Sequence, residues 1–314
     1  MEEFNLMLLH IVAHIDVDGI VCHTIVEMWA RKAQIATKHC FVDYQNIEKA
    51  LEEVGKSRNK KDELLIADIG YAKELVEILF KECGAFTKRI SWFDHHRWDQ
   101  EAFLRVDSAI KELIVDESLC ASEILQKRFL PEDKLAKKLA YLARAHDFYG
   151  QGFEPDVYEQ ACKIQDVITS GYSKEKLVEQ LSVGILWNKE FESAFKEYQK
   201  IRKEALEKMD STATNCFATV DNTKASILAV LVPDVLESKD VRAHLLEKYK
   251  NDIVFAIWPN GRIAYEARSE KFLIILQRIN EKFNGGGRGL AGGALYPARV
   301  NKECFDEIIK ALGS

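Results

Sequence analysis

The sequence predicts an α/β protein in two parts, a parallel sheet flanked by helices followed by a smaller α/β domain. Three observations predict it. Short apolar runs alternate with helix-like segments through the first third of the chain. Four acidic clusters sit at the ends of such runs: His14-Ile15-Asp16-Val17-Asp18-Gly19, Ile66-Ala67-Asp68, Trp92-Phe93-Asp94-His95-His96 and Ala145-His146-Asp147. A Lys- and Glu-rich stretch, Asn188–Met209, then separates this pattern from a second set of strand-like runs.

The elements follow in order. Leu8–Ile15 is apolar enough for a buried strand, and Gly19–Ala33 carries a helical pattern behind it. Thr37–Val42, Leu64–Ala67 and Ile90–Phe93 are further strands, separated by helices at Ile47–Val54 and Lys73–Glu82. From Ser118 to Arg144 the pattern is helical with a break near Pro131, and residues 155–208 contain no β-like run. Beyond the connecting helix, Cys216–Val220, Ser226–Val232, Ile253–Trp258 and Ile263–Ala267 are strands, and Arg242–Tyr249, Phe272–Phe283 and Glu303–Leu312 are helices. The expected domains are residues 1–187, a helical linker 188–210, and residues 211–314.

Composition narrows the class. The 314 residues are 47% hydrophobic and 30% charged, which suits a folded globular chain. No apolar run approaches the ~20 residues of a membrane-spanning helix, and the acidic N-terminus lacks the basic start of a signal peptide. Seven scattered cysteines without a Cys-x-x-Cys pair fit reduced thiols and a cytoplasmic protein. The net charge of −6 gives no global basic surface, but it is uneven. Residues 1–210 carry 30 Lys and Arg against 38 Asp and Glu, whereas residues 211–314 carry 14 against 12, so anion contacts are expected in the second part.

Burying several carboxylates together is costly unless something positive sits among them. For a mixed set of carboxylates and imidazoles the usual partner is a divalent metal. Asp16, Asp68 and Asp94 each follow a predicted parallel strand, at the sheet edge where open α/β proteins bind ligands. Taken singly, each could be a helix cap, Asp18 before the helix at Gly19 most of all. Gly19 is expected to let the chain turn without a side chain blocking the metals. His10, His23, His39, His146 and His244 lack such surroundings and are expected to be structural, with His146 the one candidate to support a ligand. A second candidate site is Gly285-Gly286-Gly287-Arg288-Gly289-Leu290-Ala291-Gly292-Gly293, which holds six of the sixteen glycines and is expected to be a loop approaching an anionic ligand. It lacks the Gly-Lys-Ser/Thr ending of a Walker loop.

Asp94-His95-His96 in this setting resembles the signature of the DHH phosphoesterase superfamily. His14-x-Asp16-x-Asp18-Gly19, Asp68 and Asp147 resemble its other motifs in order, and Asp116–Glu123 resembles its serine-rich helix start. The glycine-rich segment resembles the substrate motif of the associated C-terminal domain found in RecJ-like exonucleases and nanoRNase-type oligoribonucleases. The resemblance implies two α/β domains facing each other across a cleft, and two divalent metals, manganese first, with magnesium or cobalt as alternatives. It implies that Asp68 bridges the metals, that His14 and Asp16 complete one site, and that Asp18, His95 and Asp147 complete the other. Asp94 would support the site, His96 would touch the scissile phosphate, and Arg268, Gly285, Gly286, Gly287 and Arg288 would hold the nucleotide. The expected reaction is two-metal hydrolysis of short single-stranded RNA or DNA, or of dinucleotides, to mononucleotides, by a protein that could be a homodimer. Two departures stand out: Arg288 replaces the usual histidine of the glycine motif, and His14 stands where RecJ proteins often have aspartate. A DHH-type inorganic pyrophosphatase and a non-catalytic RecJ-like replication scaffold are the alternatives. The first is disfavoured because no Ser-Arg-Lys-Lys-type cluster is present.

Overall fold

A computed structural model describes residues 7–43, 46–56, 59 and 61–312, apart from the side chains of Phe86, Lys239 and Arg288. The chain divides into two compact units, Met1–Tyr198 and Gln199–Ser314. In the first, β1 (Leu8–His14), α1 (Val17–Ala33), β2 (Ala36–Val42), α2 (Ile47–Gly55), β3 (Glu63–Ala67), α3 (Lys73–Glu82), β4 (Ile90–Asp94), α4 (Gln100–Ala109) and β5 (Glu112–Val115) alternate. The helices α5 (Ala121–Phe129), α6 (Lys134–Asp147), α7 (Pro155–Thr169), α8 (Lys174–Ser182) and α9 (Lys189–Asp210) follow. The division between the units falls inside α9.

The five strands form the parallel sheet that the alternation predicts, in the order β2-β1-β3-β4-β5. Its two faces are both covered, because successive side chains of a strand point to opposite sides. Leu9, Ile11, Ala13, Leu65, Ala67 and Phe93 pack with α1, α5, α6, α7 and α8 on one face. Val12, Leu64, Ile66, Ile90 and Trp92 pack with α2, α3 and α4 on the other. The sequence pattern misses α4 and β5. Glu112–Val115 is a four-residue edge strand flanked by charge, too short to show a period.

The helix α1 is the spine of this unit, with twelve of its residues buried. Its N-cap is Asp16, whose side chain accepts from the Gly19 amide at 3.0 Å, so the cap expected of Asp18 belongs to Asp16. The expectation for Gly19 also changes. A Cβ there would lie 2.0 Å from the His14 carbonyl oxygen, so glycine is needed because α1 starts hard against the end of β1.

The second unit holds β6 (Thr214–Val220), β7 (Thr223–Leu231), α10 (Ser238–Lys248), β8 (Ile253–Ile257), β9 (Arg262–Ala267), α11 (Leu273–Phe283), β10 (Gly286–Arg288), β11 (Ala291–Leu295) and α12 (Lys302–Leu312). Its sheet runs β10-β11-β9-β8-β7-β6, with only β7 and β8 parallel. The helices α11 and α12 cover one face, and α10 with the end of α9 covers the other. The glycine-rich segment is therefore an antiparallel hairpin rather than an open loop. Gly287 and Gly292 serve packing: a Cβ at Gly287 would meet the Ala291 carbonyl oxygen at 2.2 Å, and one at Gly292 would meet the Tyr265 ring at 2.4 Å. All seven cysteines are free thiols. Among the described residues no helix is long and apolar enough to cross a membrane.

The joint between α1 and β2 is polar. Glu27 accepts hydrogen bonds from Arg31 Nε and Thr37 Oγ1, both at 2.6 Å, and from His39 Nε2 at 3.2 Å. The His39 contact, ahead of the opposing effect of burial, holds the Glu27 carboxyl down at about 2. Because the folded value lies below the ordinary 4.5, the ionised group stabilises the fold above that pH, and the benefit is lost as pH falls towards 2. Glu27→Gln should therefore lower the urea midpoint at neutral pH, and its gap to wild type should close progressively below about pH 4.5. A gap that does not change with pH would contradict this.

Candidate metal centre

The acidic clusters converge because three strand ends and one helix end meet at one edge of the first sheet. His14 ends β1, Asp68 follows β3, Asp94 ends β4, and Asp147 ends α6. His14, Asp16 and Asp68 place ligand atoms within 4.8 Å of one another, and so do Asp68, His95 and His96. Asp68 is common to both groups.

Asp68 is held in an unusual state. Its backbone adopts φ of 54°, a left-handed conformation that non-glycine residues rarely take, and its amide donates to the Phe93 carbonyl at 3.1 Å. The side chain is buried, and Oδ2 has no hydrogen-bond partner. Burial first, then the charges of Asp16 and Asp18, push its carboxyl well above the usual carboxylate range. Burial also raises Asp147, with help from Asp18, to about 6. For Asp16 burial is outweighed by the hydrogen bond that His14 Nδ1 donates at 2.9 Å, by the charge of His14 and by the Gly19 amide, so this carboxyl stays low.

Asp18 has a different partner. Its two oxygens accept from the Ala121 amide at 2.8 Å and the Ser122 amide at 3.0 Å, the exposed N–H groups that begin α5. Burial pushes its carboxyl up, although the amides and the charge of His95 oppose this. His95 lies between two carboxylates, its Nε2 3.3 Å from Asp68 Oδ1 and its Nδ1 3.5 Å from Asp147 Oδ2. Asp94 is wholly buried and fully used, accepting from His96 Nδ1 at 2.8 Å and Trp98 Nε1 at 2.7 Å. That hydrogen bond raises the His96 pKa and leaves Nε2 as the ring atom open to a ligand.

Six predicted residues thus gather around Asp68: His14, Asp16, His95 and His96 group with it, Asp94 joins by way of His96 and Asp147 by way of His95. Asp18 joins through its charge and through α5. His96, expected to touch phosphate, groups with Asp68 and His95. The residues fit divalent metal. The charges that shift Asp16, Asp18, Asp68 and Asp147 come from one another and from histidines, and the buried Oδ2 of Asp68 has no donor of its own. Two contributors were missed from sequence: Trp98, whose only signal is an indole four residues past Asp94, and the α5 amides, which carry no side-chain signal.

The other candidates have surroundings of their own. The Arg268 guanidinium holds backbone carbonyls of its own unit, those of Leu246, Tyr249 and Asn251. Gly285, Gly286, Gly287 and Arg288 lie on or beside β10, Gly286 faces open space, and the Arg288 side chain is outside the described residues. His10 pairs with Asp62 at 3.7 Å, His23 with His39 at 3.0 Å, and His244 with Asp210 at 3.1 Å.

No protein-family model and no curated protein matches the chain. Solved structures do match it. RecJ exonuclease bound to manganese aligns with a TM-score of 0.61 at 14% identity, over 98% of this chain and 89% of that one. RecJ in complex with Mn2+ from Thermus thermophilus aligns at 0.58 and 14% identity, over 97% of this chain and 51% of that one. CDC45 from Entamoeba histolytica aligns at 0.54 and 8% identity, over 98% and 96%. Identities this low speak for fold alone, and the fold is RecJ-like across almost the whole chain.

Proposed function

We propose that this protein is a metal-dependent phosphodiesterase that hydrolyses short single-stranded RNA or DNA, or dinucleotides, to mononucleotides. The observation that carries the reading is Asp68, a buried carboxylate whose Oδ2 has no donor, shared by two ligand groups at the ligand edge of a parallel sheet. The RecJ-like fold supports it, as does the manganese or magnesium in the RecJ structures that resemble the chain.

His14, Asp16 and Asp68 would hold one divalent ion, and Asp68, His95 and His96 would hold a second, with Asp18 and Asp147 supplying further negative charge. Such a pair supplies Lewis acidity toward a phosphate and lowers the pKa of water, and manganese suits the mixed donors. Asp94 fixes the His96 tautomer and orientation, and Trp98 in turn fixes Asp94. His96 Nε2 is then placed for an ion or for a phosphate oxygen. The hairpin residues Gly285, Gly286, Gly287 and Arg288, together with Arg268, are the proposed nucleotide contacts of the second unit.

The test is product analysis with manganese on 5′-labelled RNA and DNA of two, five and twenty-four nucleotides. Fast loss of the shortest RNA supports an oligoribonuclease, and preferred attack on long strands supports a RecJ-like exonuclease. The similarity to CDC45 keeps a scaffold role as the second reading, and no cleavage of any substrate, pyrophosphate included, would favour it.

Asp68→Asn separates metal from fold. Manganese should raise the wild-type melting temperature, by an amount equivalent to about 2.7 kcal/mol at a hundred times Kd. The variant should lose that rise while melting, metal-free, no lower than wild type, because the buried charge is gone. A metal-free variant that melts well below wild type would contradict this. Asp94→Asn should lower activity about 10–100-fold, while Trp98→Phe should cost about 1–3 kcal/mol of stability by leaving Asp94 Oδ2 without its donor. An unchanged urea midpoint in Trp98→Phe would show that this bond carries no weight.

A further inference from the structure

Two exposed side chains beside the metal centre are unexplained by the fold. Arg97 follows His96 directly, is exposed, and forms no hydrogen bond, ion pair or ring contact among the described residues. No ion pair joins it to the nearby Asp99, whose carboxylate caps α4 by accepting from the Ala102 amide at 2.7 Å. Tyr149 lies two residues past Asp147 and is 65% exposed. The other described tyrosines of this unit are engaged: Tyr71 against Trp98, Tyr141 on Glu154, Tyr172 on Glu190, and Tyr158 and Tyr198 by further contacts.

Tyr149 is also held in place at a cost. Its φ is 53°, a conformation that disfavours bulky residues. Its amide donates to the His146 carbonyl at 3.1 Å, and the Gly150 amide donates to Ala145 at 2.8 Å, closing the end of α6. Gly150 sits so close to Tyr158 that a Cβ would come within 2.8 Å of the ring. A fixed turn therefore displays an aromatic ring to solvent, where an asparagine would suit the backbone better. The contact of 3.5 Å between His95 Nδ1 and Asp147 Oδ2 brings this turn beside the loop that carries Arg97.

We propose that Tyr149 and Arg97 form a nucleotide subsite beside the carboxylate–histidine cluster, with Tyr149 stacking on a base and Arg97 binding the adjoining phosphate. The assignment rests on the phosphodiesterase reading and narrows its substrates to those that carry a base. Aromatic rings stack on every base, so the subsite selects for the presence of a base and not for its identity. The guanidinium offers a planar fork to phosphate oxygens.

The experiment compares KM for a trinucleotide with KM for the same backbone lacking its bases, using the manganese-loaded protein. Wild type should prefer the base-bearing substrate roughly tenfold. Tyr149→Asn, which keeps the left-handed backbone comfortable, should reduce that preference to near unity, and Tyr149→Phe should keep it. Arg97→Gln should weaken both substrates alike and flatten the salt dependence of log kcat/KM by about 0.7. A Tyr149→Asn protein that keeps the base preference, or a wild type without one, overturns the subsite. Hydrolysis of bis(p-nitrophenyl) phosphate by wild type shows separately whether the metal centre is a phosphodiesterase. If wild type cleaves nothing, that reading fails, and anisotropy of a fluorescein-labelled trinucleotide decides the subsite: roughly tenfold weaker binding by Tyr149→Asn upholds it, and equal binding overturns it.

Discussion

The structure of the first unit depends on the unbalanced negative charge around Asp68. Four carboxylates, Asp16, Asp18, Asp68 and Asp147, are close enough to raise or lower one another's proton affinity, and the neighbouring charges that offset them come from histidines. A group buried this way without a counter-ion costs several kcal/mol in a low-dielectric setting. The surroundings bear that cost with fixed geometry: a left-handed backbone at Asp68, two helix-start amides on Asp18, and an indole on Asp94. These features give the cluster its place in the fold.

The fold explains how sequence-distant residues reach one point. A parallel sheet sends every strand in the same direction, so β1, β3 and β4 deliver His14, Asp68 and Asp94 to the same edge. The helix α1 begins against the last residue of β1, which is why Gly19 admits no side chain. The helix α6 runs back to that edge and ends at Asp147, beside His95.

Much of this was legible in the sequence. Asp16, Asp68, Asp94 and Asp147 stand at the ends of apolar runs, and the alternation of strand-like and helix-like segments implies the parallel sheet. Other parts were not legible, for physical reasons. Asp16 and Asp18 are two residues apart, and only the path of the turn decides which one caps α1. The α5 amides that hold Asp18 are backbone groups and leave no trace in residue type. The glycine-rich segment reads as a loop and not as the hairpin it forms, because Gly287 and Gly292 are demanded by neighbours, the Ala291 carbonyl and the Tyr265 ring, that only the fold supplies. The short strand β5 carries too few residues to declare a period.

The proposed function stands or falls on whether the carboxylate–histidine cluster holds two cations that share Asp68. Counting manganese per chain by titration, with electron paramagnetic resonance to detect coupling between the ions, tests it most directly. Two bound ions with a spin-coupled signal are expected in the wild type, with loss of the coupled pair in Asp68→Asn. Absence of saturable binding, or a single ion indifferent to Asp68, would contradict a shared site.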